Sequence, residues 1–275
     1  MPARMVTVVV NEKHRSVPEG TTLGELRDLM KQDADVLIVN GFPAEPASAV
    51  AESDRIVLIR RGEIPLADEL EACMVARHTP KVHAIMKRST VGIAGLGGLG
   101  SNVAIALARM GIGMLVLADF DVVEPSNLNR QQYSMKHIGM PKTEAMALIL
   151  AEINPYLSVV TWEVVLDEKN IPTIFGQVDI VVECFDRAEA KAMIIEVVTR
   201  SLPETYLIGA SGVAGYGLSN AIQTVRLGEK TYMVGDLCSA AEPGRGLMAP
   251  RVGIAAYHQA NLVVSLLVDG PMGPL

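Results

Sequence analysis

The run Gly95-Leu96-Gly97-Gly98-Leu99-Gly100 follows the apolar stretch VGIA and precedes SNVAIALARM. Glycines in that pattern let the chain turn sharply and bring backbone N–H groups against phosphate oxygens, and a helix starting there directs its positive end at the same anion. Glycine weakens the interior of a strand or helix, so the run reads as a phosphate turn with Gly95, Gly97, Gly98 and Gly100 as nucleotide-binding positions. Asp119 closes the next apolar stretch, GMLVLAD, where a carboxylate can accept hydrogen bonds from ribose hydroxyls. The polar run DFDVVEPSNLNRQQY then carries Asn127, Asn129, Arg130 and Gln131, and Pro141-Lys142 opens a further helix. If this loop folds back over the glycine turn, Arg130 and Lys142 meet one phosphate chain and stabilise charge growing on a phosphoryl group. In isolation the two would be solvated surface cations. Asp186 follows the apolar strand VDIVVECF, where an acid is placed to hold Mg²⁺ against phosphates. It could equally cap the helix AEAKAMIIEVV, and the two roles are compatible.

These residues need a scaffold that brings strand ends together. From Thr90 onward apolar strand-like runs alternate with helical ones: STVGIAG, a helix from Ser101 to Met110, GMLVLADF, a helix from Lys142 to Ile153, then LSVVTWEVV, VDIVVECF, AEAKAMIIEVVTRSL, TYLIGAS and LSNAIQTVRL. That order implies a mostly parallel sheet with crossover helices on its faces and a ligand crevice at the carboxyl ends of its strands. Residues 5 to 60 read differently, as strand, turn, strand, helix, strand, strand. MVTVVV is β-branched, TTLGELRDLM has a Thr cap at Thr21 or Thr22, and VLIVNG and RIVLIRRG supply two further strands. A small β-grasp module fits this pattern. The expected division is a β-grasp domain at 1–64, a helical connector at 65–89 with Leu66, Leu70 and Met74 spaced on a helix that ends before Pro80, and an α/β, Rossmann-like domain at 90–275.

Composition narrows the partners. The 275 residues are 49% hydrophobic but only 4% aromatic, as in buried parallel sheets built from aliphatic side chains. A net charge of −7 provides no basic field for nucleic acid or anionic lipid. Cys73, Cys184 and Cys238 are scattered and form no CxxC pair, which argues against a disulfide framework or a zinc knuckle and points to a cytoplasmic protein. The first residues lack an apolar signal core, and VGIAAYHQANLVVSLLV is interrupted by His258, Gln259 and Asn261, so a buried helix from Val252 to Val268 is expected there, with no membrane span.

GLGGLG, DFDVVEPSNLNRQ, the PK pair and the strand-end CFD together resemble the signature of the ThiF, MoeB and ubiquitin-activating (E1) superfamily, in order from Val91 to about Leu267. The chain looks closest to the ThiF proteins of thiamine biosynthesis, and the residues before Gly62 look like ThiS, the β-grasp sulfur carrier. The resemblance implies an ATP-dependent adenylyltransferase acting on the C-terminal glycine carboxylate of a ubiquitin-like carrier ending in Gly-Gly. It implies Asp119 at the ribose, Arg130 and Lys142 at the phosphates, Asp186 at Mg²⁺, and Asn127 and Gln131 in the same nucleotide-binding loop. It also implies a homodimer, with Arg77 as a candidate to reach the neighbouring subunit's nucleotide or else to stand as a solvated helix-end cation.

The chain departs from the family pattern in three places. GDLCSAAEPGRGLMAP has only Cys238 where many relatives carry two CxxC pairs, so no zinc is expected. Cys238 as a sulfur-transfer nucleophile competes with Cys238 as an ordinary small side chain. RRGEIP carries Gly62 alone and continues into the connector, so this β-grasp copy cannot be adenylated at its own end and reads as a structural or docking element. Two other functions share some of the features. An NAD(P)-dependent oxidoreductase would use the glycine turn and Asp119 but leaves Arg130 and the PK pair without a role. A non-catalytic nucleotide-binding scaffold with a degenerate carrier domain would not need all four charged positions.

Overall fold

The computed structural model describes residues 4–271. They fall into two compact units that divide between Ala84 and Ile85.

In the first unit, β1 (Met5–Val10) and β2 (Lys13–Pro18) form an antiparallel hairpin whose turn residues Asn11 and Glu12 both have positive φ, as a two-residue turn matched to strand twist requires. Helix α1 (Leu23–Met30) follows, then β3 (Val36–Val39), β4 (Phe42–Pro43) and β5 (Arg55–Ile59). The sheet order is β2-β1-β5-β3-β4, with β1 and β5 parallel at its centre and the other pairs antiparallel, which is the β-grasp arrangement. Thr22 caps α1 reciprocally with Glu25: the Glu25 amide donates to Thr22 Oγ1 at 3.2 Å and the Thr22 amide to Glu25 Oε2 at 2.8 Å. The alternation of strand side chains sends Val6, Val8, Val10, Ile56 and Leu58 to one face, where they bury Leu23 and Leu26 of α1.

The opposite face of this sheet is also covered. Helix α2 (Ala67–His78) lays Ala72 against Ile38 and Val57, with Cys73 and Ala76 alongside. Gly41, at φ +89°, is pressed so close to it that an added methyl would stand 2.8 Å from the Ala76 carbonyl oxygen. Lys31 Nζ ties the same helix down through Glu69 Oε1 at 2.9 Å. The buried side of α2 is therefore Ala72 and Val75, while Leu66 remains 65% exposed. Small residues pack closely on a sheet, and apolar spacing alone did not reveal that. The connector helix ends before Pro80 as expected, at His78, where Thr79, before a proline and at φ +69°, leaves the helical region; a second, unexpected helix, α3 (Pro80–Arg88), then starts anew.

The second unit is α/β. Its strands are β6 (Thr90–Ala94), β7 (Met114–Asp119), β8 (Ser158–Glu163), β9 (Ile180–Glu183), β10 (Tyr206–Ala210), β11 (Gln223–Arg226) and β12 (Thr231–Gly235). They are ordered β11-β12-β10-β9-β6-β7-β8, and every pairing is parallel except that of β11 with β12. The helices are α4 (Gly98–Arg109), α5 (Lys142–Ile153), α6 (Ile171–Phe175), α7 (Ala188–Ser201) and α8 (Ala249–Asp269). Strand order reverses between β6 and β9, so the crevice between their carboxyl ends is the topological switch point. LSNAIQTVRL is a short 3₁₀ turn followed by β11, and TYMVG, which the sequence reading passed over, is the fully paired strand β12. Among the described residues α8 is the one helix long and apolar enough to cross a membrane. Here it packs on the sheet: Gln259, with no solvent exposure, donates to the Glu183 carbonyl at 3.1 Å, and Val252, Ala256, Val263 and Leu266 are buried with it.

Candidate active site

The glycine turn leaves β6 at the switch point. Gly95 takes φ +90°, and its amide donates to the Ala118 carbonyl of β7 at 2.8 Å. A methyl on Gly100 would stand 1.9 Å from the Gly95 carbonyl oxygen, so the first turn of α4 closes on the loop only because that side chain is absent. Gly97 sits at the N-cap of α4 with no side-chain cap, which leaves the first amides of the helix for a ligand.

Asp119, 8% exposed, is the last residue of β7, and its carboxylate accepts from the Leu96 amide at 2.5 Å and the Asp121 amide at 2.8 Å. Burial raises its carboxyl above the ordinary range, opposed by those two amides and by the charge of Lys142. Asp119 therefore braces the glycine turn from beneath. The loop after it does fold back. Tyr133, buried, donates its hydroxyl to the Leu96 carbonyl at 2.9 Å and lies 3.5 Å from the Lys142 carbonyl, joining glycine turn and PK pair through one side chain. Ser101 and Asn102 of α4 hold the same loop: the Gln132 amide donates to Ser101 Oγ at 3.1 Å, and Gln132 Nε2 donates to Asn102 Oδ1 at 2.7 Å.

Within this frame the two cations differ. Lys142, 6% exposed, opens α5, and its Nζ donates to Asp121 Oδ2 at 2.8 Å. A buried cation at the positive end of a helix runs against the helix dipole, so the position is costly unless anions surround it. Arg130 is partly exposed; its stem lies over Gly98, and its guanidinium donates to Asn129 Oδ1 at 2.8 Å and to the Ser126 carbonyl at 3.2 Å. It makes no ion pair among the described residues. Gln131 is buried beside Gly97, and its Oε1 has no partner among the described residues. Asn127 is occupied locally, accepting from the Glu124 amide at 3.0 Å to close a 3₁₀ turn.

Asp186 stands exposed past the end of β9 and makes no side-chain hydrogen bond or ion pair among the described residues. Arg187, not Asp186, occupies the N-cap position of α7. Among the described residues no group of three or more His, Cys, Asp or Glu side chains is assembled around a metal position. One exposed carboxylate near the glycine turn has the chemistry that Mg²⁺ accepts, since that ion takes one or two protein carboxylates and otherwise phosphate oxygens and water.

Sequence reasoning missed several residues of this region. Asp121, Tyr133 and Asn102 build it, and Asp121 had a signal in the spacing of DFD, two residues beyond Asp119. At the neighbouring strand ends Asp236 accepts from the Ser239 hydroxyl, from the Ser239 and Cys238 amides, and from Arg251 Nη2 at 2.5 Å. Cys238 is exposed, and its thiol faces Asp236 Oδ1 at 3.5 Å, a contact that pushes its pKa up. Arg77 is exposed in the last turn of α2 in the first unit. A groove lined by Trp162, Val164, Asp167 and Asn170 lies beyond the edge strand β8 and contains none of the candidate residues.

Comparison with known proteins places these features. A profile described as the ThiF family matches residues 74–271, and one described as ThiS-like ubiquitin matches residues 6–62. The molybdopterin-synthase adenylyltransferase of Escherichia coli (strain K12) is 30% identical over 189 residues, covering 66% of this chain and 74% of that protein. The protein of the same name from Haemophilus influenzae is 40% identical over 107 residues, 38% of this chain and 44% of that one. The adenylyltransferase and sulfurtransferase uba4 of Aspergillus fumigatus is 32% identical over 191 residues, 69% of this chain and 36% of that protein. The match thus spans less than half the length of the latter two relatives. Among solved structures, E. coli tRNA N6-threonylcarbamoyladenosine dehydratase, TcdA, in complex with ATP superposes with a TM-score of 0.67 at 20% identity, covering 74% of this chain and 97% of that one. E. coli MccB with ATP gives 0.55 at 24% identity, covering 74% and 63%. At these identities the likeness concerns the fold.

Proposed function

We propose, from the premise that this chain belongs to the ThiF family, that it is an ATP-dependent adenylyltransferase that activates the C-terminal carboxylate of a ubiquitin-like sulfur carrier ending in Gly-Gly. The observation that carries this reading is Lys142, a buried cation at the N-terminus of α5 joined through Tyr133 to the glycine turn. Support also comes from the names of the relatives, which are adenylyltransferases, and from the ATP complexes of TcdA and MccB, which share the fold. Hydride transfer, unlike phosphoryl chemistry, develops no new charge on phosphate for that cation to meet.

In this reading the triphosphate rests on the amides at the start of α4, with the ribose toward Asp119 and the phosphates between Arg130 and Lys142. The carrier's carboxylate is ionised at neutral pH and needs no base. Its oxygen forms a bond to the α-phosphorus as the bond to the bridging oxygen breaks, leaving an acyl adenylate and pyrophosphate. Lys142 and Arg130 lower the barrier by meeting the charge that develops on the phosphoryl and leaving groups, and the rigid turn supplies alignment. Mg²⁺, held by Asp186 together with the phosphates, would neutralise further charge on them.

The carrier is proposed to be ThiS-like and the route thiamine biosynthesis, because the first unit matches ThiS-like ubiquitin. That unit ends its β-grasp on Gly62 followed by Glu63, with no free Gly-Gly, so it serves assembly or docking and is not the substrate. The enzyme is proposed to act as a cytoplasmic homodimer, which sedimentation of the purified chain tests. The decisive experiment is ATP–pyrophosphate exchange with a ThiS-like carrier. Exchange that requires the carrier's terminal glycine supports the reading; absence of exchange with both ThiS-like and molybdopterin-type carriers overturns it.

A further inference from the structure

The carboxyl ends of β9 and β10 are joined by a pair of charged residues that the reaction above leaves unused. Glu183, last in β9, has no solvent exposure, and its Oε1 accepts from Lys191 Nζ at 2.8 Å and from the Phe185 amide at 2.7 Å. Lys191, one turn into α7, donates also to the Ala210 carbonyl at the end of β10, at 2.8 Å. An acid in this place is expensive: the strand ahead of it is Ile-Val-Val, and an apolar side chain would fill the space without desolvating a charge. Burial accordingly raises the Glu183 carboxyl, with Lys191 opposing.

What the pair holds is the turn Cys184-Phe185-Asp186. The Glu183 carboxylate fixes the Phe185 amide, and the Cys184 amide donates to the Ala94 carbonyl at 2.9 Å. On its other side the turn supports the nucleotide loop, since a methyl on Gly95 would stand 3.2 Å from the Cys184 carbonyl oxygen and 3.3 Å from Phe185 Cδ1. Asp186 is the next residue out, exposed and without a side-chain hydrogen bond or ion pair among the described residues to steady it.

We infer that Glu183 and Lys191 are positioning residues, whose buried pair makes the Cys184–Asp186 turn a shared platform for the glycine turn and for the Asp186 carboxylate. The inference rests on the proposed ATP site and deepens it, because it assigns the order of Asp186 to side chains that touch neither nucleotide nor metal. Residues standing behind a metal carboxylate typically alter metal affinity or activity 10–100-fold when changed.

The test uses the full chain with Lys191→Met, which keeps the aliphatic stem, Lys191→Arg, and Glu183→Gln, which keeps the size and an acceptor for the Phe185 amide. ATP binding is measured by calorimetry with Mg²⁺ and again in chelator, and hydrogen exchange is followed at the Phe185 amide. In Lys191→Met the gain in ATP affinity from Mg²⁺ should fall about tenfold, beyond any loss that also occurs in chelator, the Phe185 amide should exchange faster, and Lys191→Arg should restore both. Equal losses with and without Mg²⁺, or an unaltered Phe185 amide, overturn the inference. Should Glu183→Gln fail to fold, Lys191→Met decides, its side chain being 20% exposed and less bound to the core. Should the unaltered chain bind no ATP, the functional reading fails, and exchange at Phe185 still judges the pair.

Discussion

Lys142 Nζ lies 2.8 Å from Asp121 Oδ2, and the Lys142 amide donates to the Asp121 carbonyl at 2.9 Å, so the same residue holds the cation and its backbone. Asp121 is half exposed on its side chain while Lys142 is buried. The acid therefore offsets part of the cost of burying an ammonium at the positive end of α5, while its own side chain stays half solvated.

Replacing Lys142 by Met should remove the cation proposed to meet the phosphates and keep the stem that fills the site. Carrier-dependent ATP–pyrophosphate exchange should fall by about 10²–10³ in kcat, as when one oriented charge-stabilising donor is lost. Steady-state exchange kinetics with circular dichroism as a folding control measure this, and near-normal exchange would remove Lys142 from the phosphate site.

Two glycines separate sterics from function. Gly100→Ala places a methyl 1.9 Å from the Gly95 carbonyl and should cost about 1–3 kcal/mol of stability by overpacking. Gly97→Ala meets nothing closer than 3.8 Å, so it should fold nearly as well while losing ATP affinity through its methyl at the phosphate amides. Denaturant melts paired with ATP titration distinguish the two; equal destabilisation would contradict the geometry.

Asp236 makes stability depend on acid. Burial pushes its carboxyl up, but the Ser239 hydroxyl, the Ser239 and Cys238 amides and Arg251 outweigh burial and leave it well below the ordinary carboxylate range. A depressed folded value stabilises the protein at pH above the unfolded value of about 3.9 and loses that contribution as pH falls toward the folded value. The stability gap between the native chain and Asp236→Asn should thus be constant above about pH 5 and narrow below about pH 4. Urea melts across that range test it, and a gap that widens on acidification would refute it.

Arg251 is 4% exposed and bridges Asp236 and the Leu218 carbonyl. Arg251→Met should cost about 1.5–3 kcal/mol, the loss of one hydrogen bond between charged groups, because the largely buried carboxylate keeps its donors from Ser239 and Cys238. The same melts at neutral pH read this loss, and a change smaller than that of an ordinary surface substitution would contradict it.

Cys238 should prove dispensable for adenylation. Asp236 raises the thiol's pKa, so less thiolate is present at neutral pH than at a free cysteine. Cys238→Ser should retain exchange activity, and Cys238 should react with iodoacetamide more slowly than a cysteine in a model peptide. Loss of exchange in Cys238→Ser would return the thiol to the mechanism.

Much of the site was legible because its signals are local. A glycine that must turn at φ +90°, a threonine cap at Thr21 or Thr22, which the structure gives to Thr22, and the helix from Lys142 to Ile153 are each specified within a few neighbours by sterics, capping and periodicity. The parallel sheet followed from the alternation of apolar strands and helices. Missed despite a local signal was β12, set off from β11 by Gly228 in the segment LGEK; harder to read was the docking of α2, where the small Ala72 is the residue buried against the sheet.

From the sequence alone came the two-module layout, the glycine turn between β6 and α4, and Asp119, Arg130, Lys142 and Asp186 as candidates. Only the tertiary structure decided their company: that Lys142 pairs with Asp121, that Tyr133 ties both to the glycine turn, and that Glu183 and Lys191 hold the turn leading to Asp186. Periodicity and backbone sterics are properties of adjacent residues. The partner of a buried polar side chain is set by which strand ends the sheet brings side by side, and that is known only once the chain has folded.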